Sequence, residues 1–97
     1  MIAKQVFYSG QVQGVGFRYS TVRIAEDFEV AGWVCNLPDG RVELQVKGEP
    51  DQVVAFLMRI REQSHLADNI RNADERELPI ELLDGVCRFS IRKASLR

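Results

Sequence analysis

Val30-Ala31-Gly32-Trp33-Val34-Cys35-Asn36-Leu37-Pro38-Asp39-Gly40-Arg41-Val42-Glu43-Leu44-Gln45-Val46-Lys47 holds two strand-like runs on either side of a turn. Pro38 presets φ and Gly40 accepts a positive φ, so residues 36–40 reverse the chain. In the second arm Val42, Leu44 and Val46 alternate with Arg41, Glu43, Gln45 and Lys47, the period of a strand with one packed face and one wet face. The two arms make a hairpin, and the elements around it decide the topology.

Upstream, Phe17, Thr21, Ile24, Ala25 and Phe28 recur at helical steps with Arg23, Glu26, Asp27 and Glu29 between them, which predicts an amphipathic helix of about three turns. Residues 4–9 read as a strand leading into it. Downstream, Pro50 stands at a first helical position, and Val53, Val54, Phe56, Leu57 and Ile60 predict a second helix to about Ser64. Residues 66–77 are charged and read as an edge strand with Ile70 and Ala73 inward. Residues 78–85 form a loop or short irregular strand, and Cys87, Phe89 and Ile91 alternate with Arg88, Ser90 and Arg92 in a final strand. This order predicts an α+β ferredoxin-like (split βαβ) sandwich: two helices on one face of a four- to five-stranded antiparallel sheet. Phe17, Ile24 and Phe28, with Val53, Phe56, Leu57 and Ile60, are expected to meet Val42, Leu44, Val46, Phe89 and Ile91 in one core.

Ninety-seven residues, 45% hydrophobic, suit a single domain over residues 1–97 that needs no metal or disulfide to fold. A net charge of -1 and a pI near 5.8 give no general attraction for nucleic acid, so anion binding is expected to be local. The N-terminus lacks the apolar run of a signal peptide and no stretch is long enough to span a bilayer, so a cytoplasmic location is expected. Cys35 and Cys87 lie in strand-like runs without metal-type spacing and read as reduced, mostly buried thiols.

Residues 10–18, Gly10-Gln11-Val12-Gln13-Gly14-Val15-Gly16-Phe17-Arg18, join the first strand to the first helix. Amides of a first helical turn lack intrahelical acceptors, the helix N-terminus is partly positive, and glycines let a backbone approach a ligand closely. Arg18 adds a planar fork for two phosphate oxygens. The same residues also read as a tight connection with a surface arginine. Asn36 both donates and accepts hydrogen bonds, but ahead of Leu37-Pro38-Asp39-Gly40 it reads more readily as a turn former than as a catalytic residue.

Both segments resemble the acylphosphatase family. Residues 10–18 resemble its phosphate-loop signature, and Gly32-Trp33-Val34-Cys35-Asn36 followed by Asp39-Gly40-Arg41-Val42-Glu43 resembles its second signature. The resemblance spans almost the whole chain, including helix two and Phe89-Ser90-Ile91. It implies the same α/β sandwich and the hydrolysis of small acyl phosphates to carboxylate and inorganic phosphate. By resemblance, Arg18 binds the phosphoryl group together with the backbone amides of Gln13, Gly14, Val15, Gly16, Phe17 and Arg18, and Asn36 positions the attacking water. No metal or other cofactor is expected. The implied partner is a small acyl phosphate, with inorganic phosphate as product and competitive inhibitor; the protein is expected to be a monomer that binds neither nucleic acid nor membrane. Cys35 stands where the family more often has a basic residue, and residues 64–83 match poorly.

Other residues are discounted. His65 reads as a surface residue past helix two and Trp33 as a packing aromatic, while Tyr19 and Arg23, near the loop on helix one but equally placed to face solvent, are left unassigned. Asp68, Asp74, Glu75 and Glu77 read as a solvated edge. The alternative is a non-catalytic ferredoxin-like binding module for an anionic ligand or RNA, although Phe7 and Tyr8 are adjacent rather than on one face and the chain lacks a basic-glycine-aromatic octet. A fragment like the acylphosphatase-like part of a hydrogenase-maturation carbamoyltransferase is a further alternative, which the chain length argues against.

Overall fold

The computed structural model describes residues 1–62 and 64–93, with the backbone alone at 64 and 65. Its elements are β1 (Ile2–Gly10), α1 (Phe17–Ala25), β2 (Val30–Asn36), β3 (Val42–Gly48), α2 (Pro50–Glu62), α3 (Ser64–Asn69), β4 (Ile70–Leu78), a 3₁₀ turn (Ile80–Leu83) and β5 (Phe89–Ile91). The strands form one sheet in the order β4-β1-β3-β2-β5. The hairpin register sets Asn36 opposite Val42, and β1 lies on the far side of β3 with Tyr8 also opposite Val42.

The ferredoxin-like α+β architecture is the expected one, and β4 is an edge strand as its charges foretold, but the strand begins only at Ile70: residues 66–69, expected to be extended, belong to the short third helix α3, where Leu66 is buried in the core. The sheet is nevertheless mixed, because β5 runs parallel to β2 with Gly32 opposite Phe89. Having left β4 at one edge, the chain crosses to the other and enters beside β2 in the same direction. The 3₁₀ turn lies on this crossing against β1 and β3. It buries Leu83 and receives a hydrogen bond on the Leu83 carbonyl from Lys47 Nζ at 2.8 Å.

The core follows from the two periodicities. Val42, Leu44 and Val46, each fully buried, present one face of β3 to Phe17, Ile24, Val53, Phe56, Leu57 and Ile60 from the helices. α1 ends at Ala25, short of the expected three turns, and its chain then tightens: the amides of Glu26, Asp27 and Phe28 bond to carbonyls three residues back. That winding brings Phe28 inward, edge-on to Phe56 at 6.1 Å. Three side chains depart from the expected burial. Val54 is exposed on the outer side of α2, Ile91 is exposed because β5 is only three residues long, and Cys87 precedes that strand and is exposed rather than buried. The expected surface position of His65 lies outside the described side chains. Among the described residues no helix is long and apolar enough to cross a membrane.

Candidate active site

The loop between β1 and α1 is held at its start and open at its tip. Val12 is 1% exposed and belongs to the core, whereas Val15 is 38% exposed. Gly14 and Gly16 take φ of 76° and 80°, values that side-chain-bearing residues rarely adopt, and a Cβ at either would meet no atom within 4 Å. The glycines are therefore set by their backbone conformation and not by crowding, since the space on the Cβ side of both is open.

Gly16 is the N-cap of α1 and supplies no side-chain cap, and the first turn carries no acidic residue. The first bond of the helical ladder runs from the Ser20 amide to the Gly16 carbonyl at 2.9 Å, so the amides of Phe17, Arg18 and Tyr19 precede the ladder. Arg18 sits in this first turn, where the helix dipole disfavours a cation. Among the described residues, ion pairs occupy Arg23, Arg41, Arg59 and Arg76, and Arg18 is in none of them. A positive helix end and an unpaired guanidinium in one place suit an anion far better than they suit the helix alone.

Packing fixes that end of α1. The rings of Tyr8 and Phe17 lie 5.0 Å apart, and the buried hydroxyl of Thr21 donates to the Arg18 carbonyl at 2.8 Å. Asn36 arrives from the sheet. It lies two residues beyond fully buried Val34, so the period of β2 carries its side chain to the helix side.

Arg18 and Asn36 line one cavity of about 150 Å³ with Gly14, Gly16 and Phe17. Val12, Tyr19 and Ile91 complete its wall. The sequence had left Tyr19 unassigned and placed Ile91 in the core; both are exposed at this mouth, which β5 reaches by pairing parallel to β2 and packing against α1. Of the expected loop donors, Gln13 and Val15 belong to the loop but do not line the cavity. The Oδ1 of Asn36 is buried and accepts no hydrogen bond among the described residues. Such an oxygen costs about 1–3 kcal/mol unless a donor reaches it.

Cys35 is buried on the other face of β2. Burial and then Glu43 push its thiol up, against smaller opposing effects of Arg92 and Arg18, so it is held protonated rather than activated. Trp33 packs beneath the Arg92 guanidinium at 4.7 Å, and Arg23 donates to the Tyr19 hydroxyl at 3.1 Å. One further contact was not legible in advance: Gln13 Nε2 donates to the carbonyls of Leu37 and Arg41 at 2.8 and 2.9 Å, tying the loop to the hairpin turn after Asn36.

The chain matches the family model described as Acylphosphatase over residues 4–91. It is 45% identical to an acylphosphatase of Methanospirillum hungatei, covering 86% of this chain and 85% of that one. It is 42% identical to an acylphosphatase of Archaeoglobus fulgidus, covering 84% and 90%. A crystal structure of acylphosphatase from Bacillus subtilis superposes with a TM-score of 0.77 at 31% identity, over 95% of this chain and 99% of that one. With the family model covering nearly the full length and both signature segments converging on one cavity, the chain belongs to the acylphosphatase family.

Proposed function

We propose that the protein hydrolyses the carboxyl–phosphate bond of small acyl phosphates, releasing a carboxylate and inorganic phosphate. Arg18 and the backbone amides of residues 13–18 hold the phosphoryl group, and Asn36 aims the attacking water. The observation that carries these roles is the shared cavity of Arg18 and Asn36 at an uncapped helix N-terminus.

The chemistry asks little beyond positioning and charge. The leaving carboxylate has a conjugate acid titrating near about 4 to 5, so it departs without a general acid. The water oxygen forms a bond to phosphorus as the bridging P–O bond breaks, and the water's proton passes to a phosphoryl or product oxygen. Arg18 and the amides spread the charge of the transferring group, and Asn36 Oδ1 accepts a hydrogen bond from the water. An alkoxide leaving group, with a conjugate acid near about 16, demands far more assistance, so acyl phosphates are preferred over phosphate esters. The enzyme works as a cytoplasmic monomer on a small molecule, without nucleic acid, and inorganic phosphate competes with substrate for the same amides.

Hydrolysis of benzoyl or acetyl phosphate by purified protein, with chelator present and no metal added, tests this function. Turnover inhibited competitively by inorganic phosphate is the expected result. Phosphate binding with no turnover would instead leave a non-catalytic anion-binding module.

A further inference from the structure

We propose that Gln13 is a positioning residue for Asn36, its side-chain carboxamide clamping the hairpin turn to the anion loop; this role rests on the hydrolytic function proposed above. The Gln13 amide nitrogen donates one hydrogen bond to Leu37 and one to Arg41, 24 and 28 residues along the chain. These two carbonyls are the ends of the turn. The Leu37 amide donates to the Arg41 carbonyl at 2.8 Å, and the Gly40 amide donates to the Leu37 carbonyl at 3.1 Å. Each carbonyl spends one lone pair inside the turn and the other on Gln13.

The placement couples both halves of the cavity. Asn36 immediately precedes Leu37 and is the last residue of β2, opposite Val42, so its backbone is fixed by the strand ladder on one side and the clamped turn on the other. Gln13 is anchored in turn by buried Val12 and followed at once by the open Gly14. Within the turn itself, the other side-chain tie among the described residues is the exposed pairing of Arg41 with Asp39. The spacing between loop amides and the Asn36 carboxamide therefore passes through Gln13. A carboxamide suits this because one nitrogen offers two donors and no charge, whereas a carboxylate of the same shape would face two carbonyl oxygens with none.

Two substitutions leave the backbone amide in place. Gln13→Met keeps the reach and removes the donors, and Gln13→Glu keeps the outline and replaces donors by acceptors. Benzoyl phosphate kinetics, inhibition by inorganic phosphate and Tm are measured for each, in the native sequence and in Asn36→Ala, well below every Tm. In the native sequence kcat is expected to fall on the order of 10- to 100-fold while the phosphate inhibition constant moves less than about threefold. In Asn36→Ala the same change is expected to lower kcat by less than about threefold, since the group being positioned is gone. An equal loss in both backgrounds, a parallel loss of phosphate affinity, or an unchanged kcat would overturn the clamp. With the unmutated protein inactive, the hydrolytic function and the clamp fall together. With it active and Asn36→Ala impaired, an undiminished Gln13→Met rate overturns the clamp alone.

Discussion

Tyr8 in β1 and Phe17 at the start of α1 pack ring against ring at 5.0 Å, each 1% exposed, and so pin the two ends of the anion loop together. Phe17 directly precedes Arg18, so this aromatic contact also sets where the guanidinium leaves the backbone. Phe17→Ala is expected to lower unfolding free energy by about 3–5 kcal/mol in urea titration, the usual cost of emptying a buried phenyl site. Phe17→Leu, with less volume lost, should cost less, and both should lower turnover. Native stability in the alanine variant would mean that the loop is held by something other than this pair.

Arg18 and Asn36 should separate in kinetics because they meet different partners. Arg18→Gln removes charge from the anion site and is expected to lower kcat/KM on the order of 10²- to 10⁴-fold, with inhibition by inorganic phosphate lost. Asn36→Ala takes away the water's acceptor and leaves the anion site intact, so kcat should fall by about 10²- to 10³-fold to a small residual rate while phosphate still binds. Steady-state rates together with phosphate titration of each variant distinguish the two, and native rates in both would remove the proposed roles.

The two thiols should differ in reactivity for a physical reason. Cys35 is 5% exposed, and its burial with Glu43 nearby holds the thiol protonated, whereas Cys87 is exposed before β5 with its Sγ 3.4 Å from the Gly85 carbonyl. At a pH of about 8, close to the ordinary thiol range, an aromatic disulfide reagent is expected to label Cys87 at least about tenfold faster than Cys35. Cys87→Ser should abolish the fast phase and leave turnover in place. Two phases of equal speed would show that Cys35 is more open than its burial indicates.

What the sequence disclosed was what short-range rules govern. The alternation of Val42, Leu44 and Val46, the Pro38–Gly40 reversal and the helical spacing of Val53, Phe56 and Ile60 each report a local period, and each is realised. Arg18 was legible as an anion-binding candidate because a glycine-rich strand-to-helix loop is a local feature, whereas Asn36 read locally as a turn former and gained its role only through the family resemblance. Their meeting was not legible, since it depends on β2 ending beside the first turn of α1. The parallel seat of β5 depends on a crossing beneath the sheet, so neither it nor the arrival of Ile91 at the cavity had a local signature. Phe28 followed the helical period although α1 ends before it, because the closing turn tightens and keeps the ring inward. The Gln13 clamp joins groups 24 and 28 residues apart, and no periodicity could have announced it.

The pH dependence of turnover should be flat where a general acid or base would make it bell-shaped. Neither a guanidinium nor a carboxamide changes ionisation between about pH 5.5 and 8.5. Cys35 cannot supply a base in that window, because its thiol lies above the ordinary range and so remains protonated there. The departing carboxylate needs no proton at those values, so charge on both sides of the reaction is handled by fixed donors. We expect kcat for benzoyl phosphate, at saturating substrate and constant ionic strength, to vary less than about threefold across that range. An inflection within it that persists when substrate ionisation is accounted for would require a titrating protein group in the rate-limiting step, and the assignment of catalysis to Arg18, Asn36 and the loop amides would then be incomplete.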